Sequence, residues 1–413
     1  MNTHQKWPTS IASLAAVALS TVWPGDPANA QVTMAGRYQQ ADQLAVTLDG
    51  EVVKTLPCER VALEYPPGVS CPRPRVQVNM ARTSDGNLWA AVYGEIFESA
   101  DAGSTWKLAG QIANSNGVMT FTILRDDTFL AGQYVEEGES YGQDFVIVRS
   151  TDRGKTWRRL GVIPPYPFDY IGSDTSCMVE LSNGKLVMPL RRATRDWSSW
   201  MHEVWHSGDG GRTWSNVPYF DGAESHILEL APGRLLASIR RSRYQRWSYD
   251  PPGMAMVRQN VSDHTHGAHG TDTPPKAYKL MTDAELARHR DHAYKGISIA
   301  NSDNYGISWH SLRPVVDDKD VGVLAYNEVH GQLGKLPDGR IVLVHSHRPV
   351  PGDPVGYETL ARVSHDEGKT WDRHAYHVAA GQAWPSCLVL NDGTIVVVTA
   401  GPAAIRFKLP DKE

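Results

Sequence analysis

One octapeptide pattern recurs along the chain and constrains the fold more than any other feature. It reads Ser, any residue, Asp, any, Gly, any, Thr, Trp. Four intact copies, which are far beyond chance, begin at Ser99, Ser150, Ser207 and Ser364, and a worn copy begins at Ser302 with Asn304 for Asp and Ser308 for Thr. In such a pattern Asp bonds the backbone of its own turn, Gly takes a positive φ and Trp packs back over the flanking strands. The pattern therefore predicts repeated tight hairpins.

A second repeat of turns interleaves with the first. Six alternating or apolar runs each reach a turn dipeptide and then a second apolar run, which is typical of a two-stranded hairpin. The dipeptides are Asp85-Gly86, Asp126-Asp127, Asn183-Gly184, Pro232-Gly233, Asp338-Gly339 and Asp392-Gly393. Repeats of this size indicate a propeller built of small antiparallel sheets, so six hairpins predict an all-β, six-bladed β-propeller. We expect residues 404–409 to pair with a strand near residues 44–53 and close the ring.

The first thirty residues have the pattern of a secretory signal peptide. Lys6 precedes an apolar run over residues 11–22, and Ala28-Asn29-Ala30 forms a small-residue cleavage site before Gln31. The apolar run is too short for a membrane span, and no second one follows. The sequence therefore predicts a signal peptide over residues 1–30 and a secreted or periplasmic propeller over residues 31–413.

One long stretch interrupts the fourth blade. Residues 242–295 separate its inner and outer halves, and their length predicts an insertion that overhangs the central funnel as a lid or rim. Residues 283–292 are its best helix candidate. His264, His266 and His269 have ligand-like spacing, but a loop rich in Gly, Thr and His is more often a solvated rim. We therefore predict no metal site.

Charge and cysteine usage narrow the partners and cofactors. A net charge of −5 argues against nucleic acid or a membrane surface as the partner. We expect a monomer without a cofactor. Cys58 and Cys71 flank a Pro-rich loop, and we predict that they form a disulfide in the oxidising compartment. Cys177 and Cys387 lie in apolar strand patterns and are expected to be buried thiols.

The five octapeptides resemble the Asp-box of the sialidase superfamily, and the resemblance spans nearly all of the predicted mature chain. It implies a six-bladed propeller whose boxes lie on the outer rim, away from the substrate. The boxes therefore identify the fold and not the chemistry.

Alignment of the six hairpins places one entering and one leaving residue of each at the central funnel. The entering residues are Gln77, Val118, Thr175, Glu224, His330 and Trp384, and the leaving residues are Tyr93, Tyr134, Arg191, Arg240, Ser346 and Ala400. Core positions of β-proteins are normally aliphatic, so the charged residues among these need a functional or structural reason.

The fourth hairpin matches the family most sharply. Its run from Glu224 to Arg240 looks like the sialidase segment that carries a catalytic Glu and an Arg of the substrate-binding triad. The resemblance implies that Glu224 acts in catalysis and that Arg240 binds a substrate carboxylate, for which a planar guanidinium is suited. The alternative is a buried structural pair.

The other catalytic and substrate-binding residues of the family are matched less completely. Arg75, with Arg73 as a substitute, occupies the place of the first triad Arg. The place of the third reads Gly356-Tyr357-Glu358, where no Arg stands, and Arg348 or Arg191 can substitute. Trp384 falls on the nucleophilic Tyr of the family, and an indole has no hydroxyl with which to attack a sugar. Glu95 is the only carboxylate at the place where the family has its acid Asp. The alternative interpretation is that Glu95 is a solvated turn residue.

These residues leave three functions open. The first is an enzyme that hydrolyses a terminal acidic sugar from a glycan, with Glu224 as base and Glu95 as acid. The second is a uronate lyase, in which His330 and Tyr93 or Tyr134 move protons. The third is a glycan-binding propeller without catalysis. In each case the aromatic rings of Tyr93, Tyr134 and Trp384 suit a sugar face.

Overall fold

The structure is a computed structural model. It describes residues 39–41, 44–46, 52–64, 78–92, 94–112, 118–134, 144–164, 170–172, 177–193, 200–218, 222–242, 295–315, 328–347, 358–380, 384–400 and 403–412. The predicted signal peptide and residues 243–294 of the predicted insertion lie outside this part of the chain. So do four residues of the predicted site or disulfide, namely Cys71, Arg75, Tyr93 and Arg348.

Six sheets built mainly of antiparallel strand pairs follow one another along the chain as the blades of a propeller, which confirms the predicted fold. Four short strands precede the first inner hairpin, namely β1 (Gln39–Ala41), β2 (Leu44–Val46), β3 (Val52–Thr55) and β4 (Cys58–Ala62). Blade one contains β5 (Val78–Arg82), β6 (Leu88–Val92), β7 (Glu95–Ser99) and β8 (Lys107–Gln111), and blade two contains β9 (Val118–Ile123), β10 (Phe129–Tyr134), β11 (Phe145–Ser150) and β12 (Arg158–Ile163). The described residues contain no helix, and accordingly none that could span a membrane.

The other four blades repeat the same order. Blade three contains β13 (Tyr170–Gly172), β14 (Val179–Glu180), β15 (Leu186–Ala193), β16 (Trp200–Ser207) and β17 (Ser215–Pro218). Blade four contains β18 (Ala223–Ala231), β19 (Arg234–Ser242), β20 (Lys295–Ser302) and β21 (His310–Pro314). Blade five contains β22 (Glu328–Lys335), β23 (Ile341–His347), β24 (Glu358–Ser364) and β25 (Ala375–Ala380), and blade six contains β26 (Ser386–Val389), β27 (Ile395–Thr399) and β28 (Ala403–Phe407).

The ring closes through a different strand from the one the sequence predicts. β28 pairs antiparallel with β4, so that Phe407 lies opposite Cys58 and blade six gains its fourth strand from the N-terminal side of the chain. β3 instead pairs in parallel with β25 and, with β1 and β2, extends blade five. The prediction that residues 44–53 close the ring is therefore wrong, because that segment pairs one blade away.

The hydrophobic core is divided among the blade interfaces. Among the described residues, six clusters of buried apolar side chains each join two neighbouring blades. In one of them Trp106 of the first box packs with Val396 of blade six, and both are fully buried. Each blade thus stabilises the next by burial of apolar surface between them.

The five octapeptides form nearly identical loops. In the copy at Ser207, Asp209 accepts hydrogen bonds from the amide of Thr213 (2.9 Å) and from its hydroxyl (2.6 Å), while the Ser207 hydroxyl accepts from the amide of Gly211 (2.8 Å). The Trp214 indole donates to the Gly211 carbonyl at 3.0 Å. These contacts confirm the predicted turn chemistry. The residue before the Gly of the pattern also has a positive φ, which the sequence analysis missed.

The cysteines agree only partly with the prediction. Cys177 and Cys387 are buried free thiols, and burial raises the pKa of each to about 12. Cys58 is also a free thiol, whose side chain packs against the cluster between blades five and six, and burial raises its pKa to about 11. The predicted disulfide to Cys71 is thus not supported at its Cys58 end, because that side chain faces the core.

Candidate functional site

Strand pairing tests the alignment that placed residues at the funnel. In blades two to five, the leaving position stands five residues beyond the residue that pairs with the box serine. The four residues at this position are Tyr134, Arg191, Arg240 and Ser346. They lie toward one end of the blades, here called the funnel end, and the hairpin turns and boxes lie at the other, here called the turn end.

Three entering residues share an unusual backbone conformation. Glu224, His330 and Trp384 have φ of 45°, 57° and 51°. The first two sit in β-bulges, because pairing within blades four and five shifts register at these points. A positive φ costs a non-glycine residue about 1–3 kcal/mol and persists only where the surroundings hold it. Bulges of this kind re-aim side chains and are common next to active sites.

The strained residues meet at a buried carboxylate. Glu224 Oε2 lies 3.1 Å from Arg240 Nε, and its Oε1 lies 3.3 Å from His330 Nε2. Glu224, Arg240 and His330 are only 9%, 6% and 6% exposed. A carboxylate at this depth requires such partners, because burial of an unpaired charge costs several kcal/mol. The constellation therefore joins the inner hairpins of blades four and five.

Trp384 extends this constellation into blade six. Its ring meets that of His330 edge to face, with centroids 5.3 Å apart and an interplanar angle of 72°. Its backbone N–H donates to the Ser346 hydroxyl at 2.7 Å, which anchors the residue to blade five. The half-buried indole thus lies beside the catalytic candidates, as the alignment predicts.

Two polar residues at the funnel end were not predicted as site residues. His202 is buried in blade three opposite Arg191, and its Nε2 lies 3.4 Å from the hydroxyl of Ser225, the residue after Glu224. Glu358 begins the third strand of blade five and is fully buried. The sequence analysis noted Glu358 only because no Arg stands near it. A polar residue directly opposite a funnel residue is the signal that could have found His202.

Two adjacent arginines of blade three, Arg191 and Arg192, have different surroundings. Arg192 binds Glu203 through two hydrogen bonds of 2.7 and 2.6 Å, and its guanidinium lies 5.3 Å from the ring centroid of Trp205. This bidentate ion pair, with its cation–π contact to Trp205, has the geometry of a structural interaction. Arg191, the predicted substrate-binding residue, is 7% exposed and occupies the leaving position of the same strand.

The remaining predicted residues are placed only in part. Glu95 is half-buried at the first position of β7, where it pairs in register with Val92 and Gln111. Tyr134 ends β10 opposite Phe145. Ser242 and Lys295, which bound the predicted insertion, lie directly opposite each other, so the insertion leaves and re-enters blade four at the funnel end. The roles of these residues, and of Arg75, Tyr93 and Arg348 outside the described residues, stay predictions.

This arrangement suits acid–base chemistry on an anionic ligand. A carboxylate held between a guanidinium and an imidazole can orient and deprotonate a hydroxyl or water, and guanidinium groups bind carboxylates. Among the described residues, no group of three or more His, Cys, Asp or Glu side chains has an arrangement that could hold a metal ion.

Comparison with known proteins agrees with the propeller. The family model described as "BNR repeat-like domain" matches residues 72–250. A search among curated proteins gave no match.

Solved structures resemble the fold at low sequence identity. A protein of unknown function from Dyadobacter fermentans is 15% identical with a TM-score of 0.53, over 85% of this chain and 98% of that one. A Hadza microbial sialidase is also 15% identical with a TM-score of 0.53, over 81% of this chain and 65% of that one. An α-L-arabinanase from Penicillium chrysogenum, solved with arabinobiose, is 17% identical with a TM-score of 0.44, over 68% of this chain and 74% of that one. The chain therefore contains a stretch similar to the BNR repeat-like domain, and its six-bladed propeller resembles the fold of the microbial sialidase.

Proposed function

We propose that this protein is a glycoside hydrolase that releases a terminal acidic sugar from a glycan. One observation carries the proposal, namely that the buried Glu224 carboxylate is held between Arg240 and His330 by strained backbone at the funnel end. Strain and buried charge of this kind cluster at active sites. The fold is that of glycoside-hydrolase propellers, which supports the reaction class but not the substrate.

The proposed roles follow from the chemistry of each group. Arg240 binds the sugar carboxylate with Arg75 and with Arg191 or Arg348, because guanidinium groups pair with carboxylates through charge-assisted hydrogen bonds. Glu224, oriented by His330, takes a proton from water as the water oxygen bonds to the anomeric carbon. The glycosidic C–O bond breaks, and Glu95 protonates the departing oxygen. Water is the nucleophile because Trp384 has no hydroxyl. Trp384 instead packs against the sugar ring.

The test is a substrate panel with product analysis. Purified protein is incubated with glycans that end in a sialic acid, a uronic acid or a neutral sugar, and products are identified by mass spectrometry and NMR. The proposal expects free saturated acidic sugar from one acidic class, no release from neutral ends, and loss of release in Glu224→Gln. Release from neutral glycans alone would contradict it.

The contact between His330 and Glu224 also favours a second candidate, a uronate lyase. A histidine at 3.3 Å from a buried carboxylate can abstract the proton next to a uronate carboxylate while Arg240 neutralises that carboxylate. Elimination gives an unsaturated uronate that absorbs in the ultraviolet, and hydrolysis does not, so the same panel separates the two reactions. Binding without any turnover would instead identify a non-catalytic glycan-binding propeller.

We also propose that the protein acts outside the cytoplasm as a monomer. The signal-peptide sequence over residues 1–30 supports the location and does not bear on the oligomeric state. Mass spectrometry of protein from the native host should find a mature N-terminus at Gln31. Light scattering should give the mass of a single chain.

A further inference from the structure

A groove at the outer edge of blade two concentrates positive charge. It is an open groove with a volume of about 420 Å³, and its lining includes Arg149, Arg158 and Arg159 together with the box residues Asp152 and Thr156. The whole chain is acidic, with a net charge of −5. Three arginines in the lining of one groove therefore need a local reason.

Strand pairing places two of the lining arginines, Arg149 on β11 and Arg158 on β12, directly opposite each other. Like charges at such positions destabilise a sheet. The equivalent pair in blade one is Glu98 opposite Lys107, which is complementary. The propeller fold therefore does not demand a like-charged pair at this position.

The equivalent pairs in the next two blades carry no such repulsion either. Blade three places His206 opposite Ser215 at this position, and blade four places Asn301 opposite His310. The doubled arginine is thus a property of blade two alone among these four blades.

The carboxylates near the groove are already engaged. Asp152 accepts hydrogen bonds from the hydroxyl of Thr156 at 2.6 Å and from that of Ser150 at 2.7 Å. Asp85 binds Arg153, the neighbouring arginine of the box, at 2.7 Å. Within the described part of the chain, no carboxylate forms an ion pair with any of the three groove arginines. Their charge is available to a ligand.

The groove lies at the turn end of the blade, away from the candidate active site. Ser150, next to Arg149, pairs with Phe129 after the hairpin turn, whereas Phe145 at the other end of β11 pairs with the funnel residue Tyr134. A ligand in the groove therefore does not compete with one at Glu224.

We propose that this groove is a second, non-catalytic site that binds carboxylate or sulfate groups of an acidic polysaccharide. Guanidinium groups pair with both anions through planar, charge-assisted hydrogen bonds. The choice of polysaccharide rests on the proposed function, since an enzyme that acts on acidic chain ends gains from a second hold on the same polymer.

The test compares two variants at equivalent positions. Arg149→Gln/Arg158→Gln removes the like-charged pair, and Lys107→Gln in blade one removes one cation from the matching place. Binding of chondroitin sulfate, polygalacturonate and neutral dextran is measured by calorimetry in a Glu224→Gln background. We expect at least one acidic polymer, but not dextran, to bind. The double variant should weaken that binding about tenfold and Lys107→Gln should leave it unchanged. Salt at about 0.5 M should abolish it.

The outcomes separate this site from the proposed function. Polymer binding that is equal in the double variant and its parent would overturn the groove, even if acidic sugars are released. Tighter binding of inorganic sulfate or duplex DNA than of either acidic polymer would overturn the polysaccharide assignment. Loss of binding in the double variant without hydrolysis by any form would uphold the groove and refute the hydrolase. The double variant should unfold at the same temperature as its parent or higher, whereas a structural pair would lower it.

Discussion

The Asp-box loops and the funnel end both hold non-glycine residues at positive φ, but different contacts hold them. In the boxes, Ala102 lies in an exposed turn whose Ser99 and Asp101 accept the hydrogen bonds within the same eight residues. At the funnel end, Glu224 and His330 are buried and contact residues of other strands and of the neighbouring blade. The backbone strain inside a box is held by residues of the same box, so it recurs wherever the octapeptide pattern occurs. Strain that is held by contacts from other strands and from the neighbouring blade is found at the candidate site, and strain of this kind clusters at active sites.

The largest expected effect separates a buried ion pair from an exposed one. Arg240→Ala leaves Glu224 buried without its guanidinium partner, and we expect it to lower the free energy of unfolding by about 3–5 kcal/mol. Arg234 lies on the same strand as Arg240 and pairs at the surface with Glu367 of the box that begins at Ser364. Both side chains of this pair are more than 40% exposed. Arg234→Ala should cost less than about 1 kcal/mol. Urea unfolding measures both, and equal costs would contradict the contrast.

The next prediction concerns two box glycines with different surroundings. A Cβ at Gly368 would lie 2.7 Å from Cδ2 of Leu236, which is fully buried, whereas one at Gly210 would meet nothing within 4 Å. Both have a positive φ, of 81° and 71°. Gly368→Ala should therefore cost about 2–4 kcal/mol from strain and overpacking, and Gly210→Ala about 1–2 kcal/mol from strain alone. Thermal unfolding ranks them, and a larger loss for Gly210→Ala would show that the boxes do not pack as described.

The smallest effect is on the pH dependence of stability. Hydrogen bonds from the Thr213 hydroxyl and amide lower the pKa of Asp209 to about 2. A folded-state pKa below the unfolded value of about 3.9 stabilises the protein above that value, and this stability is lost as pH falls toward about 2. The worn box has Asn304, which accepts from the Ser308 amide at 2.9 Å without titrating. Asp209→Asn should flatten the loss of stability below about pH 4.

The reverse substitution is the matched control for this pH effect. Asn304→Asp should steepen the acid loss of stability, because it adds a titrating carboxylate to the worn box. Urea midpoints measured from neutral to acid pH give both slopes. Unchanged slopes in both variants would show that the box carboxylates do not govern acid stability.

Much of the fold could be predicted because its signals are local. Each turn dipeptide and box carries its own hydrogen bonds, so the six hairpins follow from short stretches of sequence. The closing strand could not be predicted this way. Residues 52–55 and 58–62 are adjacent short strands of similar character, and which of them meets β28 depends on how the whole ring closes. The same limit applies to Cys58, whose direction is set by that pairing.

The candidate site could likewise be predicted only where its signals lie within one hairpin. The spacing of Glu224 and Arg240 within one hairpin was readable, and so was the alignment of His330 and Trp384 with them. The bulges that turn Glu224 and His330 were not, since a register shift leaves no composition signal. His202 and Glu358 were missed because their positions depend on third strands, which the hairpin alignment did not include.

The most direct test compares two buried glutamates that each pair with an arginine. Glu224 belongs to the candidate site, whereas Glu203 binds Arg192 in blade three and is 1% exposed. The measurement is the rate of acidic-sugar release by Glu224→Gln and Glu203→Gln, each corrected for the folded fraction by circular dichroism. The account predicts that Glu224→Gln loses about 10²–10⁴-fold in rate while Glu203→Gln keeps the rate of the unsubstituted protein per folded molecule. Full activity in folded Glu224→Gln would contradict the account, because the strained carboxylate would then have no part in the chemistry.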